Sequence, residues 1–380
     1  MKPRQFIYLS SDHSDDKHRQ GVKLADMVRT SQPRTLIYRS ENPSCKILKY
    51  VNVAHSINNI GPAEARANGW ICLNDAGEEV HHIKTATEYA LDLHIPACRE
   101  AVAQHCKTQV NDGYDGIFGD YLGKPYAYNK NHYDSQLNHA DGSPYTDAEM
   151  ASDMSSLIDR LRELGCGILA GNGVPQAGGT YGYYTGQYKA LSDPLIVKLD
   201  YVMIEGALGW DESDAASRSV SDWLKTVQMW KGFNIKVIYY CKPIGNNPER
   251  ACFALGSYMF AQPRETDLIH YSSVSSYQIS EYWQRLMSRD YGEYVTESHT
   301  GNIYEVEYSK AVFEVDASTK MGEITFKEVN GKTVKLVNET SAPVTYYKRV
   351  IIVADESLAT IPPGGSAEVE VDDGDTIVQK

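Results

Sequence analysis

Asp115-Gly116-Ile117-Phe118-Gly119-Asp120-Tyr121-Leu122-Gly123 decides how the rest of the chain reads. A short apolar run between glycines is a buried strand, and Asp120 stands where that strand leaves the core. A carboxylate is costly to bury unless something pairs with it, although an Asp at a strand end can also simply cap a helix or close a turn. A second copy of the arrangement tips the balance: Asp200-Tyr201-Val202-Met203-Ile204-Glu205-Gly206 is again an apolar strand ending in an acid and a glycine. Side chains alternate along a strand, so Phe118 and Asp120 share one face, as do Tyr201, Met203 and Glu205. Ile117, Val202 and Ile204 point the other way.

Outward from these two strands, similar runs centre near residues 7, 26, 48, 118, 169, 203, 237 and 269. The second is read as Leu24 to Arg29, a short strand in preference to the end of a helix, after a charged turn from Asp12 to Arg19. Helical patterns fall between most of them: from Pro96, suited to a first turn, to Val110; from a Thr146/Glu149 capping box to Leu164; Ser219 to Trp230; and Pro248 to Gln262. Strand alternating with helix predicts an α/β fold, here a (β/α)8 TIM barrel. Trp70 to Gly77 reads as an insertion at its mouth. The long loops Tyr126 to Tyr145 and Gly178 to Tyr188 are expected to wall a cleft. From Tyr304 the pattern changes to short alternating segments (Tyr304 to Phe313, Gly322 to Phe326, Thr333 to Leu336, Val344 to Ile352, Ala367 to Val371) with Asn-Gly, Asp-Gly and Pro-Pro-Gly-Gly punctuation, a C-terminal antiparallel β domain. The expected division is a barrel over residues 1–298 and a β-sandwich-like domain over 299–380.

The 380 residues are 42% hydrophobic and 23% charged, ordinary for a globular chain. A net charge of −13 with no basic patch argues against nucleic acid and anionic membranes as partners. No apolar run is long enough to span a bilayer. Met1 to Gln5 lead straight into a strand without a signal-peptide core, which points to a cytoplasmic or virion-associated protein rather than a secreted one. Seven scattered cysteines, without CxxC spacing, read as buried free thiols in a reducing compartment. The 27 tyrosines against 7 phenylalanines supply flat faces with hydroxyls, a combination that suits sugar rings.

Active sites of such barrels lie at the C-terminal ends of the strands, where Asp120 and Glu205 both fall. Two convergent carboxylates in an aromatic mouth are the minimum equipment for cleaving a glycosidic bond. Candidate sugar contacts are Tyr50, Asp75, Asn172, Trp210, Tyr240 and Tyr271, each at or beyond a strand end or turn; each has a structural reading as wall or turn residue as well. Asp115 reads as a turn residue. His81, His82, His132 and His139 match no strong metal-ligand spacing. No Gly-x-Ser-x-Gly elbow or phosphate loop is present, so no cofactor or metal is expected.

From Trp70-Ile71-Cys72-Leu73-Asn74-Asp75-Ala76-Gly77 through Leu91-Asp92 and Ile95-Pro96 to Tyr114-Asp115-Gly116-Ile117-Phe118-Gly119-Asp120, the chain resembles barrel glycosidases of the α-galactosidase superfamily, especially the hypothetical glycosyl hydrolase family fifteen. The resemblance covers roughly residues 5 to 295. It implies a retaining hydrolase of an α-linked oligo- or polysaccharide, with the acid of strand four, Asp120, as nucleophile and that of strand six, Glu205, as acid/base. Gly119 and Tyr121 depart from the bulky or amide residues expected beside the nucleophile. The competing expectation is a non-catalytic carbohydrate-binding or structural protein, such as a virion or surface component, on a degenerate barrel.

Overall fold

The computed structural model describes the chain except residues 10–13, 32, 57–58, 84, 124–132, 134, 173–185, 206–207, 209–218, 233–234, 242–247, 272–280, 328–331, 338–343, 350–354, 362–365, 372–375 and 380; residues 186–189, 271, 281–282, 285 and the strands beyond 331 are described by backbone alone. Eight parallel strands close into a barrel: β1 (Arg4–Leu9), β2 (Met27–Thr30), β3 (Lys46–Asn52), β4 (Gly116–Asp120), β5 (Ile168–Asn172), β6 (Tyr201–Glu205), β7 (Lys236–Cys241) and β8 (Leu268–Tyr271). Each pairs with the next in sequence, and β8 returns to β1 through Arg4–Leu268 and Gln5–Ile269. The helices that alternate with these strands among the described residues are α1 (Asp15–Leu24), α2 (Thr35–Glu41), α3 (Pro96–Asn111), α4 (Asp147–Glu163), α5 (Gly186–Ile196), α6 (Val220–Lys231), α7 (Pro248–Phe260) and α8 (Glu281–Ser288). The expected (β/α)8 barrel is therefore what the chain forms.

Alternation sorts the side chains as the sequence implied. Phe6, Met27, Leu48, Phe118, Ala170, Tyr201, Met203, Ile238, Tyr240 and Leu268 fill the interior. Val202 and Ile204 pack with Trp223, Val227 and Trp230 of α6 instead. The capping boxes at Thr146/Glu149 and Ser219/Asp222 start α4 and α6.

A fourfold device holds the opposite end of the barrel. An aspartate just before each even-numbered strand accepts a backbone N–H from the preceding odd strand: Asp26 from Gln5 (2.8 Å), Asp115 from Ile47 (2.8 Å), Asp200 from Leu169 (2.8 Å) and Asp267 from Val237 (2.9 Å). Each aspartate also pairs with an arginine: Arg4, Arg39, Arg162 and Arg264 respectively. Asp115 thus clamps β3 to β4 at the barrel's base.

Two local expectations are corrected. The charged stretch expected as a turn is helical from Asp15 to Arg19: it belongs to α1, whose N-cap Ser14 accepts from the Lys17 N–H and whose first turn carries Asp15 and Asp16, both favourable at a helix N-terminus. Leu24 closes that helix, so the second strand begins only at Met27. Between β3 and α3, a small antiparallel sheet (His55–Ser56, His81–His82 and Thr85–Ala90) is inserted, with Trp70 to Gly77 bridged to it at Ile71–Leu91.

Past the barrel, β9 (Tyr294–Thr300), β10 (Ile303–Tyr308), β11 (Ala311–Asp316) and β12 (Met321–Phe326) form an antiparallel sheet in sequence order. Tyr304 to Phe313 is thus not one segment but a hairpin turning at Ser309 and Lys310. The sheet shares a core with α6 and α7, in which Tyr304, Val306 and Phe313 meet Trp223, Phe253 and Phe260. Gly322 permits this closeness: a Cβ there would lie 2.7 Å from the Phe253 backbone nitrogen. Further strands pair antiparallel, Lys332–Val337 with Ser366–Val371, and Val344–Arg349 with both Asp355–Ile361 and Thr376–Gln379.

Candidate active site

The C-terminal halves of the eight strands direct Tyr8, Arg29, Tyr50, Asp120, Asn172, Glu205, Tyr240 and His270 toward the barrel mouth, one from each strand in order. At the centre, the Asn172 amide nitrogen donates to Asp120 Oδ1 (2.9 Å) and to Glu205 Oε2 (2.8 Å). Both oxygens bond the same nitrogen, so they can be no further apart than the two bonds end to end, about 5.7 Å, and roughly 5 Å for an amide's trigonal N–H directions. Asn172 itself is 3% exposed, and its Oδ1 is buried without a partner among the described residues.

Asp120 is surrounded by donors. Tyr50 Oη donates to Oδ2 (2.8 Å), and the Tyr121 N–H to Oδ1 (3.1 Å). Burial, and then the Asp120 charge, push the Tyr50 phenol well above its ordinary pKa, which keeps its proton available for this bond. The Tyr121 bond exists because Tyr121 adopts a left-handed backbone, φ 67°, uncommon for a bulky residue. The turn folds Leu122 back over Gly119, where a Cβ would come within 2.9 Å of Leu122 Cδ2. Gly119 is thus required by the turn that follows Asp120. The Tyr121 ring then meets His55 edge-on at 4.9 Å, and His55 Nε2 bonds Tyr133 Oη (2.8 Å).

Four residues at the mouth, Tyr8, Arg29, His270 and Glu88, escaped the sequence reading. Arg29 is 8% exposed, with its guanidinium over the rings of Tyr8 (4.0 Å), Tyr50 (4.7 Å) and Phe118 (4.7 Å). Burial opposes its charge, but Tyr8, Tyr50, Tyr240 and Glu205 outweigh that, and the guanidinium pKa is raised. His270 donates from Nδ1 to the Phe6 carbonyl (2.8 Å), and burial pushes its pKa down to about 3, so the ring is neutral. Glu88, from the inserted sheet, has its pKa raised by burial and by Asp120. The available signal for Arg29 was its parity: it shares a strand face with the buried Met27.

The candidate sugar contacts divide. Tyr50 and Asn172 join the acid cluster. Tyr240 is buried and stacks on His270, with centroids 4.5 Å apart. Asp75 sits in an exposed turn and accepts from Asn138 (3.1 Å), which lies outside the acid cluster. Tyr271 ends β8, where it pairs through its backbone with Cys241; its side chain, and Trp210 altogether, lie outside the described residues, as do residues 126–132 and 134 of the first long loop and 178–185 of the second. All seven cysteines are buried free thiols. Among the described residues no cluster of three or more His, Cys, Asp or Glu is arranged to hold a metal ion, and no helix is long and apolar enough to cross a membrane.

No protein-family model matches the sequence, and no curated protein matches it either. Solved structures do. The fold is shared with an α-amylase and an α-glucosyl transfer enzyme. An α-amylase from Lactobacillus plantarum superimposes with a TM-score of 0.51 at 9% identity, over 99% of this chain and 98% of that one. The α-glucosyl transfer enzyme XgtA gives 0.52 at 8% identity, over 97% and 98%. The glycoside hydrolase domain of PelA from Pseudomonas aeruginosa gives 0.44 at 14% identity, over 72% and 96%. At these identities the likeness concerns the fold alone.

Proposed function

We propose that the protein is a retaining glycoside hydrolase acting on an α-linked oligo- or polysaccharide, with Asp120 as nucleophile and Glu205 as acid/base. The observation that carries this reading is the Asn172 bridge: one oxygen of each carboxylate sits on the same amide nitrogen, roughly 5 Å from the other, which suits the close pair of a retaining enzyme at about 5–5.5 Å better than an inverting pair held at roughly 6.5–9.5 Å to admit a water. In the first step an Asp120 oxygen attacks the anomeric carbon as the glycosidic bond breaks, and Glu205 passes its proton to the departing oxygen. In the second, Glu205 takes a proton from water while that water attacks the anomeric carbon and releases Asp120. The three donors on Asp120 fit a group that only accepts hydrogen bonds as it gains and loses its covalent bond.

The α linkage rests on the resemblance to the α-galactosidase superfamily. We assign Asn172, Tyr240, Tyr271 and Trp210 to sugar contact or to the wall against which sugar lies, and Asp75 to the rim. The barrel carries the site, with the chain from β9 onward as an appended β domain. Proton NMR of the first product tests the mechanism: the first-formed anomer should retain the substrate's configuration. An inverted anomer would refute it, and the absence of turnover on any aryl glycoside or polysaccharide would favour a glycan-binding protein.

A further inference from the structure

Arg29 is chemically out of place as a packing residue. Its strand is four residues long, its side chain is buried in the barrel, and Nε lies there without a hydrogen-bond partner among the described residues. Among the described residues no carboxylate lies within ion-pair distance of its guanidinium; it is held by the rings of Tyr8, Tyr50 and Phe118. An apolar side chain of similar length would fill the space without the cost of desolvating a charge.

Its surroundings give that charge a use. The Tyr50 ring beneath the guanidinium is the ring whose hydroxyl donates to Asp120 Oδ2. A cation over a phenol face strengthens the phenol as a donor and fixes the ring plane, and with it the direction of the O–H bond. The groups around Arg29 come from every side of the mouth: Tyr8 on β1, Tyr50 on β3, Phe118 on β4, Glu205 on β6, Tyr240 on β7 and the neutral His270 on β8, with Glu88 of the inserted sheet beyond Asp120. Arg29 is the cation in this set, set against the carboxylates Asp120, Glu205 and Glu88.

We propose that Arg29 is a positioning residue, which acts on Asp120 through Tyr50 and supplies the buried positive charge that lets two carboxylates stand beside each other in the mouth. This rests on the glycosidase reading for its kinetic consequences but not for its geometry. Arg29→Met keeps the side chain's bulk and removes the charge; Arg29→Lys restores a charge without the planar fork. On an aryl glycoside, Arg29→Met should lower kcat about a hundredfold with KM changed less than threefold, and Arg29→Lys should recover at least tenfold of that loss. Removing a cation disfavours ionised carboxylates, so the acid limb of the kcat/KM profile should move to higher pH. The double variant Arg29→Met/Tyr50→Phe should be no slower than the worse single variant, since both act through one hydrogen bond.

A role confined to packing would lower the unfolding midpoint while leaving the acid limb in place and Lys no better than Met; that pattern, or additive losses in the double variant, would overturn the proposal. A readout independent of turnover is the 19F resonance of 3-fluorotyrosine at position 50, which should shift in both Arg29→Lys and Asp120→Asn, neither of which empties the core. Indifference of that resonance to Arg29→Lys would refute the proposal whatever the activity, whereas full activity in Asp120→Asn would refute the glycosidase reading.

Discussion

Replacing Asn172 by Ala removes an amide that hydrogen-bonds both acids. Its nitrogen makes two hydrogen bonds to carboxylates, 2.9 and 2.8 Å long, and bonds of that kind are worth about 1.5–3 kcal/mol each. The two share a donor and are not additive, so a loss of transition-state stabilisation of about 2–4 kcal/mol is expected, roughly 30- to 1,000-fold in kcat/KM. Most should fall on kcat, because the amide sets the spacing of groups that act after the substrate is bound. Stability should change little. The removed side chain also carries Oδ1, a buried acceptor without a partner among the described residues, whose loss offsets part of the lost bonding. Asn172→Asp should be slower still, since it places a third carboxylate against two others. The assay is steady-state hydrolysis of an activated aryl α-glycoside beside an unfolding curve. Activity within threefold of the parent in a folded Asn172→Ala protein would refute the idea that the amide organises the pair.

Two further predictions address the scaffold. His270 has a folded-state pKa of about 3 against an ordinary 6.5, so the stability it contributes is complete above about pH 6.5 and is lost as pH falls toward 3, at about 1.4 kcal/mol per unit. The parent should therefore lose about 2 kcal/mol more than His270→Gln between pH 6.5 and 5 by urea unfolding; parallel losses would contradict this. Asp267, 3% exposed, bonds the Val237 N–H and pairs with Arg264. Asp267→Ala should cost about 2–3 kcal/mol of stability and leave KM unchanged, because the clamp lies at the barrel end away from the mouth. A KM change with an unaltered unfolding midpoint would be the wrong outcome.

The barrel was legible because each of its strands is an apolar run whose inward and outward residues differ in kind, and parity alone put Asp120 and Glu205 on the inner face. Helix α1 was not, since only His18, Gly21 and Val22 of its ten residues are buried, leaving no apolar stripe; its signal was the Ser14 cap and the two acids after it. Strand β9 is exposed at every position, and the Ser309-Lys310 turn contains no Gly, Pro or Asn, so neither left a pattern. The site was half legible. Its acids carry their own signal, but the Asn172 bridge depends on three neighbouring strands standing in register, and the hydroxyl bond of Tyr50 on where a ring points. Both are properties of the closed barrel rather than of any one segment.

The most direct test of the mechanism uses the Glu205→Gln protein with an activated aryl α-glycoside, whose leaving group needs no proton. Glycosylation should then outrun deglycosylation, for which the general base is missing, and intact-mass spectrometry should show the protein heavier by one glycosyl unit. Proteolysis should place that mass on the peptide carrying Asp120. An adduct on another residue, or continued turnover to an inverted sugar without an adduct, would contradict the assignment of Asp120 and Glu205.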